Sequence, residues 1–420
     1  MKIAFVIRDI PDLDHLTPII YKFLTLKKEI VILNYEINLN LQNDFRIKFL
    51  KKCDSKLSII NVYSFINQNI IYSFLSSIFD KKNYQINFKN IKNYSKIENN
   101  YIKFFFISFI KKIFFKKDSK FENFFFNKKW LSKVINELNI KILVLDDSFY
   151  FTYKKGQLIS DVCEDKNIKV YLIPHTLVIF NSGEDYVPLK KINLKKLYPK
   201  IIVNSDYKKK KLIKHGINQN KINVLGNGRF SPEWFEIFKL LTGCIEKKKN
   251  SVTKVLFFEG VYNNKILEKK LIKYLYEKDN IKLIIKGHPR GIFSLNNTVN
   301  KITNNFEIDL NTPSTKLIFD SDIIIGTFSS IIVDAFILNK VVINPRFLLN
   351  LNEIELLYEG KNFSFDCNSN EEVLDIIQKY KNNKLMLNKE NLQVFMSNFV
   401  YGNKNKEKIL EEYVEIINCI

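Results

Sequence analysis

The stretch SDIIIGTFSSIIVDAFILNKVVI (321–343) decides the fold. It opens on DIII (322–325), a short apolar run of β-branched residues that predicts a buried strand. Gly326-Thr327 ends the run, and glycine lets the chain turn sharply there. Ser329 or Ser330 then stands where a helix N-cap is wanted, with Asp334 one turn further in. A second apolar run, KVVI (340–343), follows after a helix-length gap and closes on Asn344-Pro345. Strand, loop, helix, strand is the unit from which helix-covered parallel sheets are built.

The same grammar runs outward in both directions. Upstream, KVLFF (254–258) closes on Glu259-Gly260, a helix is expected near 264–277, and IKLIIK (281–286) closes on Gly287-His288-Pro289-Arg290. Further back lie KIIV (200–203) with the Lys-rich helix 206–215, IKVYLI (168–173) closing on Pro174-His175-Thr176, and IKILVL (140–145) closing on Asp146-Asp147-Ser148. The N-terminus begins with KIAFVI (2–7), a loop holding Pro11, Asp14 and His15, a helix from Thr17, and IVIL (30–33). Two α/β domains are expected: residues 1–228 on the acceptor side, with a basic aromatic insertion near 60–130, and residues 229–420 on the nucleotide-donor side. The linker is expected at 228–252, and the C-terminal helix near 404–419 is free to pack back.

Composition bounds the answer. The 420 residues exceed what one hydrophobic core usually serves, and 46% of them are hydrophobic. Lys and Arg number 66 against 44 Asp and Glu, a formal net charge of +22. Only Arg8, Arg46, Arg229, Arg290 and Arg346 are arginines, so the surface is lysine and a nucleic-acid partner is not expected. Cys53, Cys163, Cys244, Cys367 and Cys419 are odd in number and form no CxxC pair, which argues against disulfides and structural zinc. No apolar run is long enough to span a bilayer, and the opening run is too short for a signal peptide. A cytoplasmic protein is expected. The piece YIKFFFISFIKKIFFKK (101–117) reads either as an amphipathic helix on an anionic inner-membrane surface or as a core helix whose lysine tips reach water.

Ligands of open parallel sheets sit beyond the carboxyl ends of the strands. The candidates there are Asp146 and Asp147, His175, Glu259 and Gly260, His288 and Arg290, and Gly326, Thr327, Ser329 and Ser330. A serine pair opening a helix offers hydroxyls and backbone N–H groups to a phosphate, and is equally well a plain N-cap. His288 and Arg290 can donate to phosphate oxygens, with Pro289 holding His288 extended. An acceptor hydroxyl needs a base. Asp147 is the first candidate, with Asp146, Asp14 and His175 as alternatives; each also reads as a loop cap or a packed loop residue. Glu259-Gly260 is a turn or a nucleotide contact. Few acidic pairs are placed like a DxD metal site, so a metal-independent reaction without a cofactor is expected. His215 reads as a helix C-terminal charge.

With these motifs in place, the chain resembles glycosyltransferases of the GT-B fold, which implies two facing Rossmann-like domains with parallel sheets. Within that group, Asp146-Asp147-Ser148, His288-Pro289 and Ser329-Ser330 are similar, in order, to the acidic pair, His-Pro motif and serine pair of bacterial sialyltransferases and polysialyltransferases. Ser148 stands where that first motif usually has glycine. Residues 321–343 also look like the corresponding stretch of CDP-glycerol glycerophosphotransferases, which implies a catalytic role for His175 in IPHTL. YPKIIVNSDYKKKKLIKHGINQNKINVLGNGRF (198–230) is similar to a segment of many surface-carbohydrate transferases, and HLTP (15–18) to the first loop of several. The resemblance implies sugar transfer from a CMP-activated, sialic-acid-type donor to a glycan or lipid-linked acceptor in capsule or lipooligosaccharide synthesis. The alternatives are a CDP-glycerol polymerase, a UDP-sugar transferase or a 2-epimerase of the same fold. The epimerase would carry a glycine pair after the phosphate-loop serine, where Ser330-Ile331 stands. A basic, non-enzymatic membrane-docking module is the remaining reading.

Overall fold

The computed structural model describes residues 2–35, 39–62, 128–152, 154–175, 177, 180–182, 197–245, 252–260, 263–287, 306–309, 311–327, 329–349 and 354–418. The expected segment 101–117, most of the 60–130 insertion, and the triplet His288-Pro289-Arg290 lie outside the described residues. The chain divides into two compact units: Met1–Ile173 with Pro188–Ile201, and Pro174–Val187 with Ile202–Ile420.

Strands β1 (Lys2–Ile7), β2 (Glu29–Asn34), β3 (Ser58–Asn61), β4 (Ile140–Asp146), β5 (Lys169–Ile173), β7 (Lys200–Val203) and β8 (Ile222–Val224) form one sheet in the order β3-β2-β1-β4-β5-β7-β8. β1 pairs in parallel with both β2 and β4. A second sheet runs β11-β10-β9-β12-β13-β15, from β9 (Thr253–Phe258), β10 (Ile281–Lys286), β11 (Phe306–Ile308), β12 (Ile323–Ile325), β13 (Val341–Pro345) and β15 (Phe365–Cys367). All five of its pairings are parallel. Within the second unit, β6 (Phe180–Ser182) and β14 (Ile354–Leu356) form a small antiparallel pair. The expectation of two Rossmann-like α/β domains with parallel sheets is met.

The second sheet shows why its strands read as apolar runs. Successive residues face opposite sides of the sheet. Leu256, Phe258, Ile324 and Val342 enter one core, and Val255, Phe257, Ile323, Ile325 and Ile343 enter the other. Both faces are covered, so alternation vanishes and hydrophobic residues are continuous. On the first face Phe336 stacks edge-on to Phe363 and Phe395, with ring centroids 5.1 and 5.9 Å away.

Several expected boundaries shift for identifiable reasons. Helix α1 spans Ile10–Thr25 rather than starting at Thr17, so Pro11, Asp14 and His15 are helical and not in a loop. Asp9 caps it, Asp12 returns the bond to the Asp9 N–H at 3.1 Å, and the proline stands in the first turn, where its missing N–H costs nothing. The stretch 228–245 is packed rather than a free linker: helix Pro232–Leu241 buries Trp234, and Phe230 before it is buried too. The C-terminal helix Ile409–Asn418 docks inside the second unit, where the Tyr413 hydroxyl donates to the Gly226 carbonyl at 2.8 Å. Gly402 makes this fit possible, because a Cβ there would come within 2.8 Å of Val224.

Asp334, fully buried, receives the Arg229 guanidinium at 3.0 Å and the Thr315 hydroxyl at 2.7 Å. Three segments of the second unit therefore meet on one carboxylate. Removing one member of such a buried pair leaves an uncompensated charge. Asp334→Ala is expected to lower unfolding stability by about 3–5 kcal/mol in urea denaturation, and Asp334→Asn by less. An Ala variant as stable as the wild type would show that the pair contributes nothing net.

Candidate functional site

In each sheet the order reverses once. β1 leads to β2 and β3 on one side, and β4 and β5 lie on the other; β9, β10 and β11 stand in the same relation to β12 and β13. Loops leaving the strands on either side of the reversal run apart, and the crevice between their carboxyl ends is where ligands of open parallel sheets bind. The two reversal points, β1/β4 and β9/β12, are the candidate sites, one in each unit.

At the first, Asp146 ends β4 fully buried and accepts from the N–H groups of Ser148 and Phe149 at 2.9 and 3.3 Å. It caps helix Asp147–Thr152, of which Asp147 is the first residue, also buried. Across the reversal, Asp12 accepts the Arg8 N–H at 2.7 Å and the Arg8 guanidinium at 2.9 Å. Carboxylate oxygens of Asp12 and Asp146 lie within 4.8 Å of each other. Asp12 was not foreseen as part of the site, although Asp-x-x-Asp at 9–12 is a readable capping signature. Asp14 faces elsewhere, in an ion pair with Arg46, which also holds Asp44 at 2.7 Å. His15 is buried in α1. His175 follows the end of β5 by two residues, in the Pro174–Val187 stretch of the second unit.

At the second reversal the loops after β9 and β12 are joined by a side-chain bond. The Thr327 hydroxyl donates to Asn263 Oδ1 at 2.7 Å, and both residues are buried. Gly260 lets this happen, since a Cβ on it would stand 2.5 Å from that same Asn263 oxygen. Glu259, buried at the end of β9, takes the Lys265 ammonium at 3.1 Å. Lys265 also reaches the Gly260 carbonyl at 2.8 Å and Glu268 at 3.4 Å. Burial pushes the Glu268 carboxyl up to about 7, with the neighbouring Glu259 charge adding to it while Lys265 and Asn263 oppose. Gly326 is buried, and a Cβ there would meet Ile332 at 3.1 Å. Ser329 and Ser330 are half-buried on the same loop. Neither caps a helix as expected: the next helix spans Ile332–Ile337 with Ile331 at its N-cap and no side-chain cap bond. The nearest approach is the Ile331 N–H to Ser329 Oγ at 3.5 Å, so the serine hydroxyls are not committed to capping. Lys286 ends β10 with its ammonium on the Thr312 carbonyl at 2.7 Å, and burial holds it below its ordinary value.

The second unit thus brings together Glu259, Gly260, Gly326 and Thr327 among the expected residues. It adds Asn263, Lys265 and Glu268, which sequence reading missed. Asn263 and Thr327 are 64 positions apart, and nothing local in either marks the other as its partner.

No protein-family profile and no curated sequence matches the chain. Solved structures do. MnaA from S. aureus, solved with UDP, superposes with a TM-score of 0.57 at 11% identity, covering 100% of this chain and 97% of that one. Alr3699/HepE from Anabaena, in complex with UDP and glucose, gives 0.55 at 13% identity with full coverage of both chains. The UDP-GlcNAc 2-epimerase of Methanocaldococcus jannaschii gives 0.54 at 14%, covering 98% and 99%. At such identities the likeness is one of fold. The three proteins are described with UDP or UDP-GlcNAc, and the expectation of a cytidine-activated donor draws no support from them. Among the described residues, no helix is long and apolar enough to cross a membrane.

Glu268 yields a pH prediction. Its folded value lies above the ordinary 4.5, so between those values the folded protein binds a proton that the unfolded chain has released. Stability on its account is therefore full at low pH and falls as pH rises from 4.5 to about 7. Glu268→Gln is expected to match the wild type at acidic pH and to be more stable at pH 8 by on the order of 2 kcal/mol, read from urea midpoints across pH. Parallel pH profiles for the two proteins would refute this.

Proposed function

We propose that this chain is a nucleotide-sugar enzyme that binds a UDP-activated sugar at the β9/β12 reversal of the second unit and transfers the sugar to a glycan or lipid-linked acceptor. The observation that carries the reading is the joined pair of loops there. Thr327 and Asn263 hold the two loops together, and Ser329 and Ser330 stand beside them with hydroxyls left over from capping. Hydroxyls and backbone N–H groups gathered at a strand end suit phosphate oxygens, the part common to every nucleotide donor. The related folds described with UDP favour uridine over the cytidine donors that the sequence motifs suggested.

In this reading Gly326, Thr327, Ser329 and Ser330 take the phosphates. His288 and Arg290, which follow directly on β10, supply charge to the departing nucleotide. Glu259 and Gly260 contact the nucleoside side. Asp147 of the first unit is the proposed base for the acceptor hydroxyl, with Asp146 of the same unit and His175 of the second as alternatives. Transfer is favoured over 2-epimerisation because Ile331 follows Ser330 where a glycine pair would be wanted.

The test is a panel of UDP-, CMP- and CDP-activated donors, with nucleotide release followed with and without acceptor and the donor sugar checked for epimerisation. Acceptor-dependent UDP release is expected. Binding of CMP in preference to UDP would restore the cytidine reading, and an epimerised sugar without transfer would replace transfer by epimerisation. His288→Ala is expected to lower turnover by at least about a hundredfold with the melting temperature unchanged. Ser329→Ala with Ser330→Ala is expected to weaken UDP binding by about tenfold in calorimetry. Wild-type turnover in the His288 variant would remove that residue from the mechanism.

A further inference from the structure

Glu268, on the helix Lys265–Tyr276, is a buried carboxyl with no role in the function just proposed. Only Asn263 stands between it and the phosphate loop. On one side the Thr327 hydroxyl donates to Asn263 Oδ1 at 2.7 Å. On the other, Asn263 Nδ2 is buried and meets no acceptor at hydrogen-bonding geometry among the described residues. The amide still lies near enough to Glu268 to favour its charged form. Asn263 keeps 3% of its surface in water, and Gly260 leaves the amide room that a Cβ, 2.5 Å from it, would take.

The charged groups facing Glu268 are Lys265, 3.4 Å away on its own helix, and Glu259 at the end of β9. Lys265 serves both carboxylates and the Gly260 carbonyl, so two buried acids share one ammonium. The elements packed on this helix direct their charges elsewhere. Arg346 is on Glu359 at 3.0 Å, Lys286 on the Thr312 carbonyl at 2.7 Å and Lys379 on Asp375 at 2.6 Å, while Glu371 faces Lys278. One proton therefore relieves the excess negative charge of the cluster, and burial already holds the Glu268 carboxyl up at about 7.

We propose that Asn263 is a positioning residue that couples its two neighbours, so that a phosphate at Thr327 and a proton on Glu268 bind together. The inference rests on the phosphate site proposed above. An ionised carboxylate only accepts hydrogen bonds, so it draws the Asn263 amide nitrogen to itself and turns Oδ1 toward Thr327. The single Thr327 proton is then committed to Oδ1, and a phosphate oxygen, also an acceptor, is offered none. When Glu268 takes a proton from solvent, its O–H donates to Oδ1 instead. The amide turns end for end, Nδ2 donates to the Thr327 oxygen, and the Thr327 proton passes to the phosphate contact. The loss of charge beside the loop favours the same state. The coupling is reciprocal: what the proton does for the ligand, the ligand does for the proton.

Calorimetry on the full chain tests this with UDP-N-acetylglucosamine, whose diphosphate has no proton of its own to exchange near neutrality. Glu268→Gln stands in for the protonated carboxyl, because the Gln amide donates where the acid's O–H would. At about pH 6 the two proteins are expected to bind equally. At about pH 8 the wild type is expected to bind about tenfold more weakly than the variant. Repeating the titration in two buffers of different ionisation enthalpy should show the wild type taking up about one proton more per site. The titration of His288 is common to both proteins and cancels. With Thr327→Val, and separately Asn263→Ala, as the background, Glu268→Gln should change nothing. Affinities that stay equal at both pH values overturn the coupling and leave the donor reading standing. A tenfold difference that survives both backgrounds makes the effect plain charge repulsion and overturns the role of Asn263. No binding at either pH removes the donor reading, and the coupling falls with it.

Discussion

A parallel strand cannot be followed directly by its neighbour: the chain must leave the sheet, cross one face and come back at the other end. The two candidate sites follow from that constraint. Each return buries a helix on the sheet, so the strands lose their polar face. Each loop leaves from the same edge, and where the order reverses the loops part. In the second sheet the parting falls between Phe258 and Ile325, and the crevice is lined by what comes next in the chain, Glu259-Gly260 and Gly326-Thr327. The site is a consequence of topology before it is a matter of chemistry.

Crevices of this kind need their loops held. Here the holding is done by polar groups out of water, where an unmet partner is expensive and a met one is directional. Thr327 on Asn263 ties loop to loop. Lys265 between Glu259 and Glu268 ties the end of β9 to the helix that follows it. Asp334 collects Arg229 and Thr315 behind the serine loop. The Thr327–Asn263 and Arg229–Asp334 links are short-range in space and long-range in sequence, which makes them hard to foresee.

The lysine- and asparagine-rich composition leaves its mark on local structure. Glycine is scarce, at 12 residues, and helices still need a residue that tolerates positive φ just past their ends. Asn139, Asn167, Asn339 and Asn383 fill that place, each two residues beyond a helix, with φ between 51° and 56°. Asparagine is the side chain that visits this region most readily after glycine. Lys340 then bonds back to the Ala335 carbonyl at 2.9 Å, closing the helix end as a glycine would allow.

By itself, the chain of letters marked the inner strands of both sheets, their parallel arrangement and the polar residues at their carboxyl ends, but not the short edge strands β3, β8, β11 and β15 or the antiparallel pair β6 and β14. It could do so because a strand buried on both faces must be apolar throughout, and a βαβ return has a characteristic length. Helix starts were less legible: α1 begins well before Thr17 because Asp9 and Asp12 cap it around a proline, a local signal that hydrophobic spacing overrides. Ser329 and Ser330 looked like caps because serine before an apolar run usually is one. The folded chain starts its helix two residues later and leaves those hydroxyls over. Only tertiary structure decided that Asn263 meets Thr327 and that Arg229 meets Asp334. Such partnerships depend on how distant segments are brought side by side, and no residue carries in its own identity the address of a partner far along the chain.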